Sequence, residues 1–563
     1  MAWDFSCIDW EDRITDGRSL VPHLPLDEKL AIRAIEVFNS LKLPDVPGTP
    51  ALEQASGEWF REILTALFGS IVDSARLVRE LFLMIPKKNS KTTNGAAMML
   101  TAQMMNRRPR AEFLLIGPTQ AISELAFNQA VGMIGADAEL SRRFRIQEHV
   151  KKITYRGSVV SSLQIKTFDA SVLTGVKPVG VLIDELHELG KISGAANVIR
   201  QIRGGLLPFP EAFLAFITTQ SDKPPAGAFK AELLKARKIR DGKIPARGML
   251  PVLYEFPRVL IDNGAWRDPT NWPMVNPNVG RSITVPRLIE DYETALETGD
   301  EELRGWASQH LDIEIGLALH TDRWAGADYW EACGDPTLTF ESLIERSDVI
   351  VVGIDGGGLD DLLGTIVLGR DAETQDWLVW AKAWAHRSVF DRRKSDVAPR
   401  LLDFQKDGDL VIVKEVGDDV AELGDLVEKI WLTGKMPEEH SIGVDQYCIS
   451  AIVEEIARRD IDTEKAFVGV PQGWKLTGAI TTTARQLAGK KLVHAAQPLM
   501  AWCVGNAKVE PKGNAITITK QAAGTAKIDP LMALFDAAVV IGMNPTATSS
   551  IYDREPGRSF LVV

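Results

Sequence analysis

Lys91, followed by Thr92 and Thr93, stands between the apolar run "LFLMI" (81–85) and a stretch with helical spacing, "NGAAMML" (94–100). A phosphate-binding loop needs backbone amides converging on the phosphates, a lysine that reaches the terminal phosphates and a hydroxyl for Mg²⁺. In "PKKNSKTT" the candidates are Lys87, Lys88, Asn89, Ser90, Lys91, Thr92 and Thr93. Where such loops carry glycines, this chain has Ile85 and Ser90. Ser90 can follow the same turn at a conformational cost, whereas Ile85 demands a different backbone path. Read alone, the stretch is equally a basic surface loop.

A second motif complements it. "VGVLIDELHEL" is a buried strand ending in Asp184-Glu185. Two carboxylates at a strand's carboxyl end are costly unless they meet a cation or do chemistry. Asp184 suits a Mg²⁺ shell, and Glu185 suits a base that polarises an attacking water. The bland reading is a strand running into an acidic helix start. A third strand, "AFLAFITTQSD", ends in Thr218-Thr219-Gln220, a polar end able to sense a γ-phosphate or merely to cap a strand. Arg200 and Arg203 are candidate arginine fingers or ordinary surface residues.

Three further carboxylates fall at the ends of core elements. Asp355 closes "VIVVGID" before Gly356-Gly357-Gly358, Asp445 closes "SIGVD", and Asp529 opens the helical stretch "DPLMALFDAAVVI". Such a set can hold two Mg²⁺ or Mn²⁺ ions for phosphodiester cleavage. Singly, each is as well explained as a turn or helix cap. Asp360, Asp361 and Asp536 compete for the same role, and His494 and Asn506 are candidate neighbours.

The elements that must position these residues follow two patterns. Between about 70 and 220, apolar runs alternate with helical spacing, which predicts a parallel sheet covered by helices. Near 346 a second block begins, with "DVIVVGIDGGG", "LLGTIVLGRD" and "DWLVWAKAW" predicted as an antiparallel meander. The expected division is an ATPase domain over 1–335, a nuclease domain over 346–545 and a mobile tail over 546–563. With 563 residues, 45% hydrophobic and 25% charged, the chain is expected to be soluble and multi-domain, with no apolar run of membrane-spanning length. Its N-terminus lacks a signal peptide's basic and apolar regions, and four scattered cysteines form no metal-ligand pair, so a reducing cytoplasm fits. A net charge of −12 argues against indiscriminate coating of nucleic acid. The clusters "NRRPR" (106–110), "SRRFR" (141–145), "KARKIRDGK" (235–243) and "DRRK" (391–394) read first as solvated faces.

Taken in order, these motifs resemble the large terminase subunit of tailed bacteriophages: a P-loop ATPase followed by a ribonuclease H-like nuclease. "PTQAISELAFNQAVGMI", "LIDELHE", "FITTQSD", "NWPMVNPNVG", "VGIDGGGLDDLLGTIVL", "LVHAAQPLMAWCVGNAKV" and "KIDPLMALFDA" carry the resemblance. The pattern of Trp272, Asn276-Pro277-Asn278 and Gly280 is its most family-specific element. "PKKNSKTT" is similar to the family's deviant phosphate loop, with Ser90 in place of glycine. Two departures are the triple glycine after Asp355 and Arg61-Glu62 where the family often has an adenine-contacting glutamine.

The resemblance implies α/β architecture in both domains. ATP with Mg²⁺ would be held by Lys87 to Thr93 and Asp184, with Thr92 and Asp184 on the metal and Glu185 catalytic. Mg²⁺ or Mn²⁺ would be held by the catalytic Asp355, Asp445 and Asp529. It further implies ATP-driven movement of double-stranded DNA into a procapsid and cleavage of concatemeric DNA. Partners would be a portal protein, a small terminase subunit and further copies in a ring, in the host cytoplasm and off the membrane. Two alternatives stay open. One is a helicase-like or repair ATPase with a non-catalytic second domain, and the other is a non-motor nuclease with a degenerate ATP fold. DNA-stimulated ATPase activity speaks against the second.

Overall fold

A computed structural model of the chain describes all residues except 1–2, 158, 170–174, 191, 193, 223–224, 315–323, 358–360, 390–397, 446–449, 514, 521–526 and 548–563. The expected tail lies almost wholly outside the described residues, as do Asp360 and the "DRRK" cluster. The chain forms two compact units, Met1–Ala318 and Leu319–Val563.

The first unit is built on an eight-stranded sheet. Its strands are β1 (Glu80–Met84), β2 (Ala111–Ile116), β3 (Phe144–Gln147), β4 (Lys152–Arg156), β5 (Val160–Ile165), β6 (Gly180–Asp184), β7 (Phe213–Thr218) and β8 (Met249–Leu253), in spatial order β8-β1-β7-β6-β2-β5-β4-β3. The run from β8 to β5 is parallel. Strands β6 and β7 are buried along their whole length, the mark of a sheet covered on both faces. The remainder departs from the simple alternation read in the sequence. Strands β3, β4 and β5 pair antiparallel and extend one edge. They are joined by short turns, one passing through Lys151 at φ 47°, and short turns permit only antiparallel neighbours. Helix α1 (Lys91–Met105) follows β1, and α2 (Asp300–Leu311) comes late in the unit.

The second unit carries β9 (Ser347–Gly356), β10 (Leu363–Asp371), β11 (Trp377–His386), β12 (Leu410–Val413), β13 (Ile442–Asp445), β14 (Phe467–Val470) and β15 (Leu492–His494). The spatial order is β12-β11-β10-β9-β13-β14, with β15 also paired to β11. The expected meander is present: β9, β10 and β11 are antiparallel neighbours, while β13 joins β9 in parallel. Helix α3 (Asp529–Ile541) lies across the sheet and is buried almost throughout. Its approach depends on missing side chains below it. A Cβ on Gly443 would stand 2.6 Å from the Asp536 carbonyl oxygen, and one on Gly353 would collide with the Ala533 carbonyl.

Residues from Trp324 onward pack in this second unit, although the sequence reading placed 1–335 with the first. The Trp324 indole N–H donates to the Ile480 carbonyl (3.2 Å), and its ring meets Phe535 edge-on at 5.2 Å. Trp330 stacks on His494 at 4.0 Å. Two large apolar rings bury their area where a core accepts them, and that sets the division.

Candidate active sites

In the first unit, the parallel strands deliver the phosphate loop and both acidic residues to one end of the sheet. β1 does not turn after Met84: Ile85 is fully buried, and its N–H donates to the Thr218 carbonyl (3.1 Å), extending the strand pairing. This is the different backbone path that a bulky residue requires. The turn comes later. Lys88 and Ser90 both take the left-handed conformation, at φ 69° and 56°. Ser90 therefore occupies a glycine-favouring geometry, at a cost of roughly 1–2 kcal/mol for a residue with a Cβ.

Lys91 starts α1 and is buried. Its Nζ lies 3.1 Å from Glu185 Oε1. Thr92 Oγ1 donates to Asp184 Oδ2 at 2.8 Å, and the Glu185 N–H donates to Asp184 Oδ1 at 2.8 Å. The two motifs, 92 residues apart in sequence, are thus in direct contact. Burial, with the Glu185 charge beside it, pushes the Asp184 carboxyl up to about 7, against the opposing pull of Lys91 and Thr92. Glu185 sits at φ 54°, a strained conformation for a carboxylate-bearing residue. His187 Nδ1 is hydrogen-bonded to Thr218 Oγ1 at 3.2 Å and lies 3.2 Å from Glu185 Oε2.

The sequence reading gave no role to the support beneath the loop. Asn89, read as a nucleotide contact, has its side chain turned inward and fully buried. Its Nδ2 donates to Asn276 Oδ1 (2.8 Å), and its Oδ1 accepts from the Asn278 N–H (3.1 Å). Asn278 Nδ2 also donates to Ser90 Oγ at 3.3 Å. Asn276 and Asn278 are two of the three asparagines of "NWPMVNPNVG", so this pattern braces the candidate phosphate loop. Asp312, just after α2, is buried as well. It accepts from Thr219 Oγ1 (2.7 Å) and the Gln220 N–H (2.8 Å), tying the end of β7 to the end of α2.

Arg203 is not a finger in reserve. Its guanidinium is paired with Glu80 (2.8 Å) and Glu232 (2.6 Å). Glu80 begins β1, so this network lies at the sheet's opposite end from the phosphate loop. Arg200 is exposed.

In the second unit, Asp355 and Asp445 occupy the carboxyl ends of adjacent parallel strands, one residue beyond the Ile354–Val444 pairing. Side chains alternate along a strand, so both share a face with Gly353 and Gly443, the face covered by α3. Asp529 begins α3 and is buried, next to the start of the glycine turn: a Cβ on Gly356 would be 3.4 Å from the Asp529 Cβ. Asp536 is fully buried two turns along and accepts from Gln472 Nε2 (3.0 Å). Burial pushes its carboxyl up to about 8, with the Asp445 charge adding to burial and the Gln472 bond opposing it. Asp361 is ion-paired with the buried Lys527 at 2.6 Å. Among the described residues, no group of three or more His, Cys, Asp or Glu side chains is gathered closely enough to hold a metal. The topology brings the acidic residues to one region without closing them into a cage.

Of the two looser candidates, His494 is a brace: Nε2 donates to the Trp330 carbonyl at 2.7 Å, and burial lowers its pKa. Asn506 holds the backbone leading into α3, donating to the Lys527 carbonyl at 3.0 Å.

Comparison with known proteins agrees with this two-part layout. Residues 58–232 match the family model of the terminase large subunit ATPase domain, and residues 254–544 match that of the terminase large subunit endonuclease domain. The second match covers more than half of the 563 residues. It begins inside the first compact unit, so the asparagine brace falls within it. Protein YmfN of Escherichia coli K12 is 19% identical over 303 residues, 53% of this chain and 64% of that protein; the chain thus spans less than two thirds of that relative. The large terminase of bacteriophage HK97 is 17% identical, with 90% of this chain and 99% of that one covered at a TM-score of 0.44. A large terminase from a thermophilic bacteriophage, in complex with ADP, is 12% identical, with 82% and 93% covered at a TM-score of 0.30. Through the two family models, and with an ATPase-type and an endonuclease-type part in the family's order, the chain belongs to the terminase large subunit family.

Proposed function

We propose that this protein is the ATP-driven engine of viral genome packaging, moving double-stranded DNA into a procapsid and cutting concatemeric DNA. The observation that carries the reading is the contact set Lys91–Glu185 and Thr92–Asp184, which joins a phosphate loop to a paired acid on another strand. Lys91 would exchange Glu185 for the β/γ-phosphates when a nucleotide binds. Glu185, released from that pair, would accept a proton from the water attacking the γ-phosphorus, and ADP and inorganic phosphate would leave. His187 and Thr218 would keep the Glu185 carboxylate aimed. The end of β7, held by Asp312, is the element placed to register loss of the γ-phosphate.

The oxygen-only donors Thr92 and Asp184 fit Mg²⁺, and Asp355, Asp445 and Asp529 fit Mg²⁺ or Mn²⁺ by donor type. A bound divalent ion would supply charge neutralisation at phosphate oxygens in both units. In the second unit no step is assigned, because the described acidic residues do not form a closed set. Partners of this reading are a portal protein, a small terminase subunit and further copies of the chain in a ring. Host cytoplasm is the matching place, and among the described residues no helix is long and apolar enough to cross a membrane.

The test is ATP turnover and plasmid cleavage by the purified full chain. Turnover stimulated by double-stranded DNA, together with Mg²⁺- or Mn²⁺-dependent cleavage, is expected. ATP turnover indifferent to DNA would sink the motor reading.

A further inference from the structure

At the amino ends of the parallel strands, opposite the phosphate loop, the first unit contains a cavity of about 460 Å³. That is within the range of small-ligand sites. Its walls include Phe68, Phe113, Phe213 and Met105. Among them lies Arg76, 6% exposed. Its Nε donates to the Glu211 carbonyl oxygen at 2.8 Å and its Nη1 to the Leu67 carbonyl. Its guanidinium sits 5.5 Å from the Phe68 ring centre and 5.3 Å from that of Phe213. The carboxylate that would neutralise it, Glu211, is instead engaged by Arg108 at 2.5 and 3.1 Å. Arg107 and Arg108, from the "NRRPR" cluster, also line the cavity, so three arginines face one glutamate. Burial lowers the Arg76 pKa to about 10, with the Glu211 charge opposing it.

We propose that this cavity binds an apolar carboxylate, either a small aromatic or aliphatic acid or the terminal residue of a polypeptide. A planar guanidinium fork matches two carboxylate oxygens, and the phenylalanine rings accept the apolar body. A phosphate group would bring more charge into walls that are largely apolar. Buried charges ordinarily find a partner, and an incoming carboxylate would complete the pairing that Arg108 has taken from Arg76.

The test uses the full chain with three probes: 3-phenylpropionate, the neutral 3-phenylpropanamide, and N-acetyl-Ala-Ala-Phe with a free carboxylate. Binding is read by ligand-observed NMR and calorimetry. At least one carboxylate is expected to bind about tenfold more tightly than the amide, a gap of about 1.4 kcal/mol. A preference for the tripeptide identifies a polypeptide terminus, and a preference for the free acid identifies a small molecule. Met105→Trp should fill the cavity and abolish binding, and Arg107→Ala should weaken it a few-fold. Arg76→Leu should erase the preference for the carboxylate, and if that variant does not fold, Met105→Trp decides. Equal binding of acid and amide, no binding of either carboxylate, or full binding by Met105→Trp overturns the proposal.

Discussion

The two candidate sites draw on different sets of charged residues. In the first unit a lysine is interleaved with two acids, and contacts of 2.8–3.1 Å lock the set together. A site that contains its own counter-charge can close within the protein. In the second unit Asp355, Asp445, Asp529 and Asp536 approach one region from β9, β13 and α3, and the buried lysine there is paired with Asp361. There burial, with a smaller push from the Asp445 charge, raises the Asp536 carboxyl to about 8 and favours its protonated form. In the first unit the two motifs are joined by direct contacts, and in the second Asp355 and Asp445 end adjacent strands on the face under α3.

The sharpest break between the two is a pair of single substitutions. Glu185→Gln should lower ATP turnover on the order of 10²–10⁴-fold while nucleotide still binds, since an amide cannot take the proton. Asp355→Ala should lose plasmid cleavage and keep ATP turnover within about twofold, as expected for residues in separate units. Loss of both activities in either variant would show that the units do not act separately.

Next comes the choice between acids on α3. Asp529→Ala should abolish cleavage. Asp536→Asn should be milder, since Asp536 lies about 10 Å further along the axis and an amide can still meet Gln472. An inactive Asp536→Asn beside an active Asp529→Ala would move the third carboxylate down the helix.

The first unit's preassembly also rests on its brace. Asn278→Ala removes bonds to Ser90 and to the Trp59 indole (3.3 Å). It should raise the KM for ATP several-fold and lower stability by about 1–3 kcal/mol, the cost of leaving buried partners unpaired. Plasmid cleavage should be unchanged, and an unaltered KM would remove the brace from the account of the loop.

The smallest effect concerns acid. Burial lowers the His310 pKa to about 4, with Lys87 and Lys88 reinforcing burial against Asp291. An unfolded His titrates near 6.5. Between those values the unfolded chain binds the extra proton, so stability falls as pH drops from about 6.5 to 4, by at most about 1.4 kcal/mol per pH unit. His310→Phe keeps the ring contact with Trp306 and should flatten that decline in thermal midpoint. Parallel declines in both proteins would clear His310.

Much of this was legible in the chain. "LFLMI", "VGVLIDE" and "AFLAFITT" are apolar on both faces, which only a covered parallel sheet tolerates, and their polar ends therefore had to meet at one edge. The places of Asp355, Asp445 and Asp529 near the ends of core elements were legible for the same reason. The asparagine brace was not, because an asparagine's partner 187 residues away leaves no local trace. Nor was the commitment of Arg203 to Glu80 and Glu232, since exposed and paired arginines look alike in sequence.

By itself the sequence determined which elements form and which polar residues stand at their ends, because hydrophobic periodicity and residue type are local properties. Only the tertiary structure decided which of these residues touch. It turned Asn89 inward, set Lys91 against Glu185, drew Trp324 and Trp330 into the second unit and brought Asp355 and Asp445 to one face under α3. Those outcomes depend on strand order, on the space beneath α3 and on the balance of buried charge, and each is a sum over distant parts of the chain.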